Sequence, residues 1–568
     1  MTMNGQNARM AEMLFPNRKY TPPADDTSRY EARYPKRSLP AGAAVTRLGP
    51  SPTGFIHLGN LYTAFMNEKL AKETGGVCYL RIEDTDRKRE VEGAAGALIE
   101  SLRYFGISFD EGVGLDEGTG EIIETGDYGP YFQSQRADIY QAYAGRLVAE
   151  GLAYPCFMGE EELAEIRRVQ EAEKRNPGIY GTWAKYRGVG PEKCGELIGS
   201  GLSYVIRLNA DKANAALGIS GGWDIKDGIR GSITMPANEM DVVLLKSDGI
   251  PTYHFAHVID DRLMGTTHVI RGEEWLSSLP IHMTLFGALG FEPPAYCHTT
   301  VLMKMDGGAK RKLSKRKDPE LSLDYYRNEG YHPKAILEYL LTIINSNFEE
   351  WRESHPDSPI EDFQMTVEKM GVSGILFDLD KLRDVSKNVL LGISSEELAE
   401  FMLDWAERCK PEALPALTRN PGELSKILDI GRNADKPRKD LAYAKQIFGF
   451  IGYFYDEFFV IEDGLPENIP AGDAPVLLEG YLEGLDLNDS RDIWFEKIRA
   501  LAEAKGYAAK PKDYKKEPEK YKGHVGDVSS VVRIALVGRA NSPDLYEIQR
   551  IMGKERVEAR ILSYIKNC

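Results

Sequence analysis

Cysteine is scarce in this chain and never paired. Six cysteines, at 78, 156, 194, 297, 409 and 568, are spread over 568 residues with no CxxC or CxC spacing. That argues against a local thiolate zinc site and a disulfide framework, and for reduced thiols in a cytoplasm. No apolar run is long enough to span a bilayer, so no membrane partner is expected. The first forty residues are polar, with prolines at 16, 22, 23, 35 and 40, and lack the apolar stretch of a secretory signal. Internal repeats and low-complexity segments are absent. Net positive charge is lacking too: the formal charge is −16. A wholly basic nucleic-acid-coating protein is thereby excluded, although recognition of phosphates needs only a local basic face.

What is present fits a soluble globular protein of several domains, with 42% hydrophobic and 28% charged residues. The most informative stretch runs from Arg47 to Asn60. Ala43 to Leu48 is apolar and feeds a Pro/Gly turn; a helical pattern with Leu61, Ala64, Phe65, Leu70 and Ala71 follows. Strand, turn and helix in that order aim free N–H groups at an anion. The turn carries His57, able to donate to a phosphate oxygen, and Gly59, which lets a flat ring lie against the backbone. On its own this is equally a plain turn. A second basic segment, Lys310 to Lys317, holds six cations in eight positions. By itself it reads as a solvated surface run. So does the later run from Lys510 to Lys522, which is interleaved with Asp513, Glu517 and Glu519.

Together, His57-Leu58-Gly59-Asn60 and Lys312-Leu313-Ser314-Lys315-Arg316 resemble the two ATP motifs of class I aminoacyl-tRNA synthetases. Asn60 and Arg316 depart from the class consensus. Further stretches are similar to the bacterial type of glutamyl-tRNA synthetase: Leu80 to Asp86, Gly129 to Ser134, Ser247 to His254 and His268 to Trp275. The likeness covers roughly 43–568 and is densest over 43–325.

The pattern along the chain supports an α/β reading. Val77 to Ile82 is expected as a strand and Ala94 to Phe105 as a helix. The sheet pattern is expected to return at Met240 to Lys246 and Thr267 to Arg271. From about 323 helices are expected at Pro333 to Ile344, Ile375 to Val385 and Ser395 to Cys409. The resemblance implies a Rossmann-like class I catalytic domain, 43–108 and 236–322, split by a connective insertion, 109–235, that holds the tRNA acceptor end. An all-α C-terminal half would follow, with a stem-contact region over 323–395 and a helical anticodon-binding domain over 396–568. Residues 1–42 read as an extension without assigned order.

The resemblance also implies the chemistry. Glutamate is activated by ATP to glutamyl-adenylate and passed to the 3′ end of tRNA(Glu), with tRNA(Gln) an additional acceptor in some relatives. His57, Lys312 and Lys315 would be catalytic, stabilising the α-phosphate and the leaving pyrophosphate with Mg2+. Gly59, Asn60, Glu274, Trp275 and Ser314 would complete the ATP site. Arg47 and Arg271 would bind the substrate carboxylates, because an arginine fork matches a planar carboxylate. Glu83 would receive the α-ammonium, with Ser51, Tyr253 and His257 nearby. Some relatives hold zinc near the position of Cys156; with no second cysteine there, no zinc is expected. A cytoplasmic monomer is expected.

Each residue has a plainer role to weigh. Glu83 to Asp86 could cap the next helix. Arg271 could pair with Glu273 or Glu274. Trp275 could be core, and Tyr253 and His257, four apart, could be packing neighbours on a helix. His282, His298 and His332 receive no role. Glutaminyl-tRNA synthetase, a cousin with a β-barrel anticodon region, fits the helical C-terminal half poorly. The shortened relative that modifies a tRNA base lacks that half. A silent tRNA-binding paralogue would have lost the ATP motifs, which stand here intact.

Overall fold

The computed structural model describes residues 3–18, 26–86, 88–432, 434, 437–467, 469–470 and 472–567. It divides into two compact units, one of residues 1–323 with 340–378, the other of 324–339 with 379–568. The expected stem-contact stretch, 323–395, is therefore shared between them.

In chain order the first unit contains α1 (Met3–Leu14), α2 (Asp26–Arg33), β1 (Val45–Leu48), α3 (Leu58–Thr74), β2 (Val77–Leu80), α4 (Ala94–Tyr104), β3 (Glu111–Leu115), β4 (Ile122–Thr125) and α5 (Ala137–Ala149). It continues with β5 (Ala153–Cys156), α6 (Glu160–Ala172), α7 (Pro191–Gly199), β6 (Val205–Leu208), α8 (Ala210–Ala216) and the hairpin β7 (Trp223–Asp227) and β8 (Gly231–Met235). Then come β9 (Val243–Leu245), α9 (Tyr253–Leu263), β10 (His268–Gly272), α10 (Leu279–Ala288), β11 (Ala295–Thr299), β12 (Leu302–Asp306), β13 (Ala309–Lys312) and β14 (Ile375–Leu376).

β1, β2 and β3 are parallel neighbours, with β4 antiparallel at the edge of β3. β10 and β11 form a parallel pair. Thr267 joins the pair to β1: its N–H donates to Val45 O at 2.9 Å, and its Oγ1 accepts the Val45 N–H at 2.8 Å. The chain thus winds outward from β1 in both directions, and the crevice at the carboxyl ends of β1 and β10 is a switch point suited to a ligand. The apolar face of α3, with Leu61, Ala64 and Phe65, is buried.

Three expectations change here. β3, within the stretch assigned to the insertion, pairs with β2, so the sheet extends past residue 108. β9 pairs antiparallel with β6, so the parallel sheet resumes only at β10. Ile375 and Leu376 form a strand against Leu302 and Met303, and the helix begins only at Leu379; sheet pairing overrides the helical apolar spacing there. The N-terminal extension is ordered where described. Met10, Ala11 and Leu14 of α1 are buried, Tyr34 Oη donates to Gly129 O at 2.9 Å, and Arg37 grips Glu111 through both terminal nitrogens at 2.8 and 2.9 Å.

The second unit is helical. Leu379–Gly392, Ser395–Cys409, Asp473–Glu483, Arg491–Ala504, Val525–Val537 and Lys554–Asn567 surround one core that includes Met402, Trp405, Leu477, Val528, Val532 and Ile561. Among the described residues, no strand falls in this unit and no helix of either unit is long and apolar enough to cross a membrane.

Candidate active site

The turn after β1 builds the first wall. His57 is the N-cap of α3, in extended conformation, and its Nδ1 accepts the Asn60 N–H at 3.2 Å. The Asn60 side-chain oxygen accepts the His57 N–H at 3.0 Å, completing a capping box. With Nδ1 used as acceptor, a neutral His57 carries its proton on Nε2. Burial pulls its pKa below the ordinary 6.5; Glu274 opposes the shift and Lys312 adds to it. A Cβ at Gly59 would stand 2.9 Å from two atoms of the His57 ring, so the histidine itself requires the glycine.

The second basic segment leaves the β12–β13 hairpin. Asp318 holds the loop: it accepts from Arg311 at 2.6 and 2.8 Å and from the Ser314 N–H at 2.8 Å. The Arg311 hydrogen bonds lower the Asp318 carboxyl to about 2. Lys312 and Leu313 face the cavity. Ser314 is turned to Asp318, and Lys315 Nζ rests 4.1 Å from the ring centre of Phe55, whose ring is 5.9 Å from that of His57. Two segments some 250 residues apart thus meet.

A buried charge network forms the floor. Arg81 donates to Glu83 at 3.0 Å and to Asp261 at 2.7 Å, and Arg47 Nε lies 3.3 Å from Asp261. Although burial raises an acid, Arg47 and Arg81 hold the Asp261 carboxyl well below its usual range. Burial lifts Glu83 above 4.5 despite Arg81 and Arg47 beside it. Asp260, behind, accepts from Arg136, Gln133 and Tyr140 at 2.7 to 2.9 Å.

Arg271 has a different environment. Its Nε donates to His298 Nε2 at 3.0 Å, its terminal nitrogens lie 3.3 Å from Tyr253 Oη and His282 Nδ1, and its guanidinium sits over the Tyr296 ring at 4.8 Å. Among the described residues no carboxylate pairs with it; Glu273 is engaged by Arg230 at 2.5 Å. Burial lowers the surrounding histidines: His254 to about 4, His257 to about 3, His298 below 6.5 and His282 well below it. The cage around this cation is neutral.

One cavity of about 440 Å³, within the range of small-molecule sites, is lined by Arg47, Ser51, His57, Gly59, Asn60, Glu83, Tyr253, Arg271, Glu274, Trp275 and Lys312. His257, Ser314 and Lys315 are not in its wall. His257 stacks on Tyr253 on the side away from the cavity, 5.7 Å between ring centres, and its Nε2 meets Tyr296 Oη at 3.0 Å. The plainer role for Glu83 to Asp86 does not hold, because α4 starts only at Ala94 behind a Gly93 cap. Asp84 instead accepts from the N–H and hydroxyl of Ser134. Sequence reasoning missed Arg81, Asp261, His282 and His298. For His298 the signal available was the pairing of two parallel strands, which sets it beside Arg271.

The sequence model for the catalytic domain of class I tRNA synthetases (E and Q) matches residues 43–382, and that for an anticodon binding domain matches 514–565. The chain is 56% identical to a glutamate–tRNA ligase of Acetivibrio thermocellus over 97% of this chain and 98% of that one. It is 48% identical to one of Clostridium perfringens over 97% and 99%. The crystal structure of a glutamate tRNA ligase from Elizabethkingia meningosepticum in complex with its amino acid is similar, with a TM-score of 0.72 and 28% identity over 92% of this chain and 99% of that one.

Proposed function

The chain belongs to the class I tRNA synthetases of the glutamate and glutamine branch, as a bacterial-type glutamate–tRNA ligase, and from that premise we propose how its cavity activates L-glutamate with ATP and passes it to tRNA. The glutamate α-carboxylate attacks the α-phosphorus, the bond to pyrophosphate breaks, and glutamyl-adenylate forms. The terminal ribose hydroxyl of tRNA then attacks the glutamyl carbonyl and AMP leaves. Both steps call for positioned donors and charges rather than a protein nucleophile.

In this reading the Nε2–H of His57 donates to the α-phosphate at the start of α3, where the helix dipole also favours the anion. Lys312 faces the phosphates, and Lys315 swings from Phe55 to the leaving pyrophosphate. Ser314 shapes the loop through Asp318. Gly59, Asn60, Glu274 and Trp275 bound the nucleoside. Glu83, held by Arg81, receives the α-ammonium, with Ser51 and Tyr253 as walls. His257 acts from behind, on Tyr253 and Arg47. Among the described residues no group of three His, Cys, Asp or Glu could hold a metal ion. Mg2+ would accordingly arrive on the ATP phosphates, which supply most of its oxygens. No zinc enters this proposal, Cys156 having no cysteine neighbour in sequence. A cytoplasmic monomer acting on tRNA(Glu) completes it.

One observation carries the choice of glutamate. Arg271 presents a buried cation caged by neutral groups, at the wall shared with Glu83. A substrate carboxylate compensates that charge; a carboxamide leaves it uncompensated. Glutamate-dependent ATP–pyrophosphate exchange, with and without tRNA and with glutamine in parallel, tests the reading. Exchange with glutamate alone supports it, and exchange with glutamine overturns the pocket assignment. Charging purified tRNA(Glu) and tRNA(Gln) separately defines the RNA range.

A further inference from the structure

Arg271 is anchored by a relay that begins outside the parallel sheet. Asp227, at the end of β7, is 2% exposed, and His298 on β11 is fully buried. Asp227 Oδ1 accepts the N–H groups of Ile229 and Arg230 at 3.0 and 2.9 Å. Its Oδ2 faces His298 Nδ1 at 2.7 Å and accepts the His298 N–H at 3.1 Å. His298 Nε2 lies 3.0 Å from Arg271 Nε. A carboxylate can only accept, so Nδ1 must bear the proton; a guanidinium can only donate, so Nε2 must be bare. The two demands agree on one tautomer of a neutral imidazole. The other tautomer would set two N–H groups against each other at 3.0 Å.

We propose that Asp227 and His298 are positioning residues for substrate binding: Asp227 fixes the His298 tautomer, and His298 holds Arg271 through its Nε as a neutral acceptor, so that, with the terminal nitrogens meeting only Tyr253 Oη and His282 Nδ1, the full positive charge is kept for the substrate carboxylate. A carboxylate in place of His298 would aim Arg271 equally well but cancel the charge that distinguishes glutamate from glutamine. The inference rests on the reading of Arg271 as a carboxylate binder. It also places a residue of the β7–β8 hairpin in control of a group in the cavity.

Asp227→Asn separates this role from a structural one, because it is nearly isosteric. The Asn oxygen would stay with the N–H groups of Ile229 and Arg230, turning its NH2 toward Nδ1. The imidazole would then carry its proton on Nε2, against Arg271, as in tautomer inversion within a catalytic triad. In steady-state aminoacylation by the full chain, the glutamate KM of Asp227→Asn should rise about tenfold or more, the scale for losing an orienting partner. The ATP KM should stay near that of the parent, while the melting temperature should fall modestly, because the NH2 also meets the His298 N–H that Oδ2 accepts at 3.1 Å. His298→Gln has an amide able to accept from Arg271 and donate to Asp227, and should keep the glutamate KM within about threefold of the parent. The double variant Asp227→Asn/His298→Gln should lose as much as Asp227→Asn, since the Asn NH2 would draw the Gln carbonyl and turn the Gln NH2 against Arg271, the same inversion. An unchanged glutamate KM in Asp227→Asn, or a double variant that matches the glutamate KM of His298→Gln, overturns the relay. Should Asp227→Asn fail to fold, His298→Gln against His298→Leu decides, and equal glutamate KM values overturn it. Arg271→Ala is the separate control: if it leaves the glutamate KM unchanged, the reading of Arg271 itself falls.

Discussion

His57 and Asn60 cap α3 reciprocally, the imidazole taking the Asn60 N–H at 3.2 Å and the carboxamide taking the His57 N–H at 3.0 Å. The same device recurs at the start of the helix Val525–Val537. There His524 Nδ1 accepts the Gly526 N–H at 3.0 Å, and Asp527 accepts the His524 N–H at 2.7 Å. In both, a Cβ on the glycine would run into the histidine ring. His-x-Gly followed by Asn or Asp is therefore a helix start in its own right. What distinguishes the first is its cavity, with Lys312 and Glu274 in the same wall.

His57→Asn should separate the cap from the chemistry. Asparagine is a strong N-cap, so folding stability should stay within about 1 kcal/mol of the parent. The Nε2–H is lost, and adenylate formation should weaken by about 2–4 kcal/mol, the scale of one missing preorganised donor. Single-turnover activation beside a denaturation curve checks both. Normal activation would remove His57 from the mechanism.

The recurrence shows why the site was only partly legible in the sequence. A local pattern fixes a local cap, and His57, Gly59 and Asn60 follow from it. That His57 meets Lys312 depends on β12 and β13 returning toward α3, which only the order of several motifs implied. The cage around Arg271 was invisible because His282 and His298 sit in apolar contexts that read as core. The strand at Ile375 is not legible because its apolar spacing suits a helix and its partner, Leu302, is distant in the chain. Arg81 lies within the Leu80–Asp86 motif, yet its partner Asp261 is 180 residues away.

Arg47 and Arg271 are equally buried, at 4% and 5% exposure, but should respond differently to alanine. Arg47→Ala deprives Asp261 of one of two cations and should cost about 3 kcal/mol of stability. Arg271→Ala removes a cation with no carboxylate partner among the described residues. It should cost clearly less stability while raising the glutamate KM far more than the ATP KM. Denaturant unfolding and steady-state kinetics on the two variants read this out. Equal stability losses would contradict the difference in compensation.

Lys315 depends on Phe55 for its resting place. Lys315→Ala should weaken adenylate formation by about 2–4 kcal/mol. Phe55→Leu, which removes a contact the ammonium gives up on swinging to the pyrophosphate, should strengthen it by about 0.5–2 kcal/mol. If the ring acts through the lysine, Phe55→Leu should have almost no further effect in the Lys315→Ala background, a coupling that a double-mutant cycle measures directly. Additive effects would mean that Phe55 acts on its own.

The buried histidines predict acid sensitivity above the range in which carboxylates titrate. In the unfolded chain each binds a proton near pH 6.5; in the folded protein burial holds His257 to about 3 and His254 to about 4. Below 6.5 the unfolded state therefore carries more protons than the folded one, and stability falls as pH falls. Their contribution is unpenalised above 6.5 and erodes steadily down to the folded values. Each fully neutral histidine costs up to about 1.4 kcal/mol per pH unit in that window. Glu83, lifted above 4.5 by burial, works in the opposite sense near its own titration, so the difference between parent and variant is the cleaner quantity. His257→Asn removes one such group, and its slope of unfolding free energy between pH 6.5 and 5 should be shallower by up to about 1.4 kcal/mol per unit. Urea unfolding at pH 7, 6.5, 6, 5.5 and 5 gives both slopes. Parallel slopes would mean that His257 becomes protonated in the folded protein, and a charged imidazole there would face Arg47 at 3.3 Å with only Asp261 to offset it.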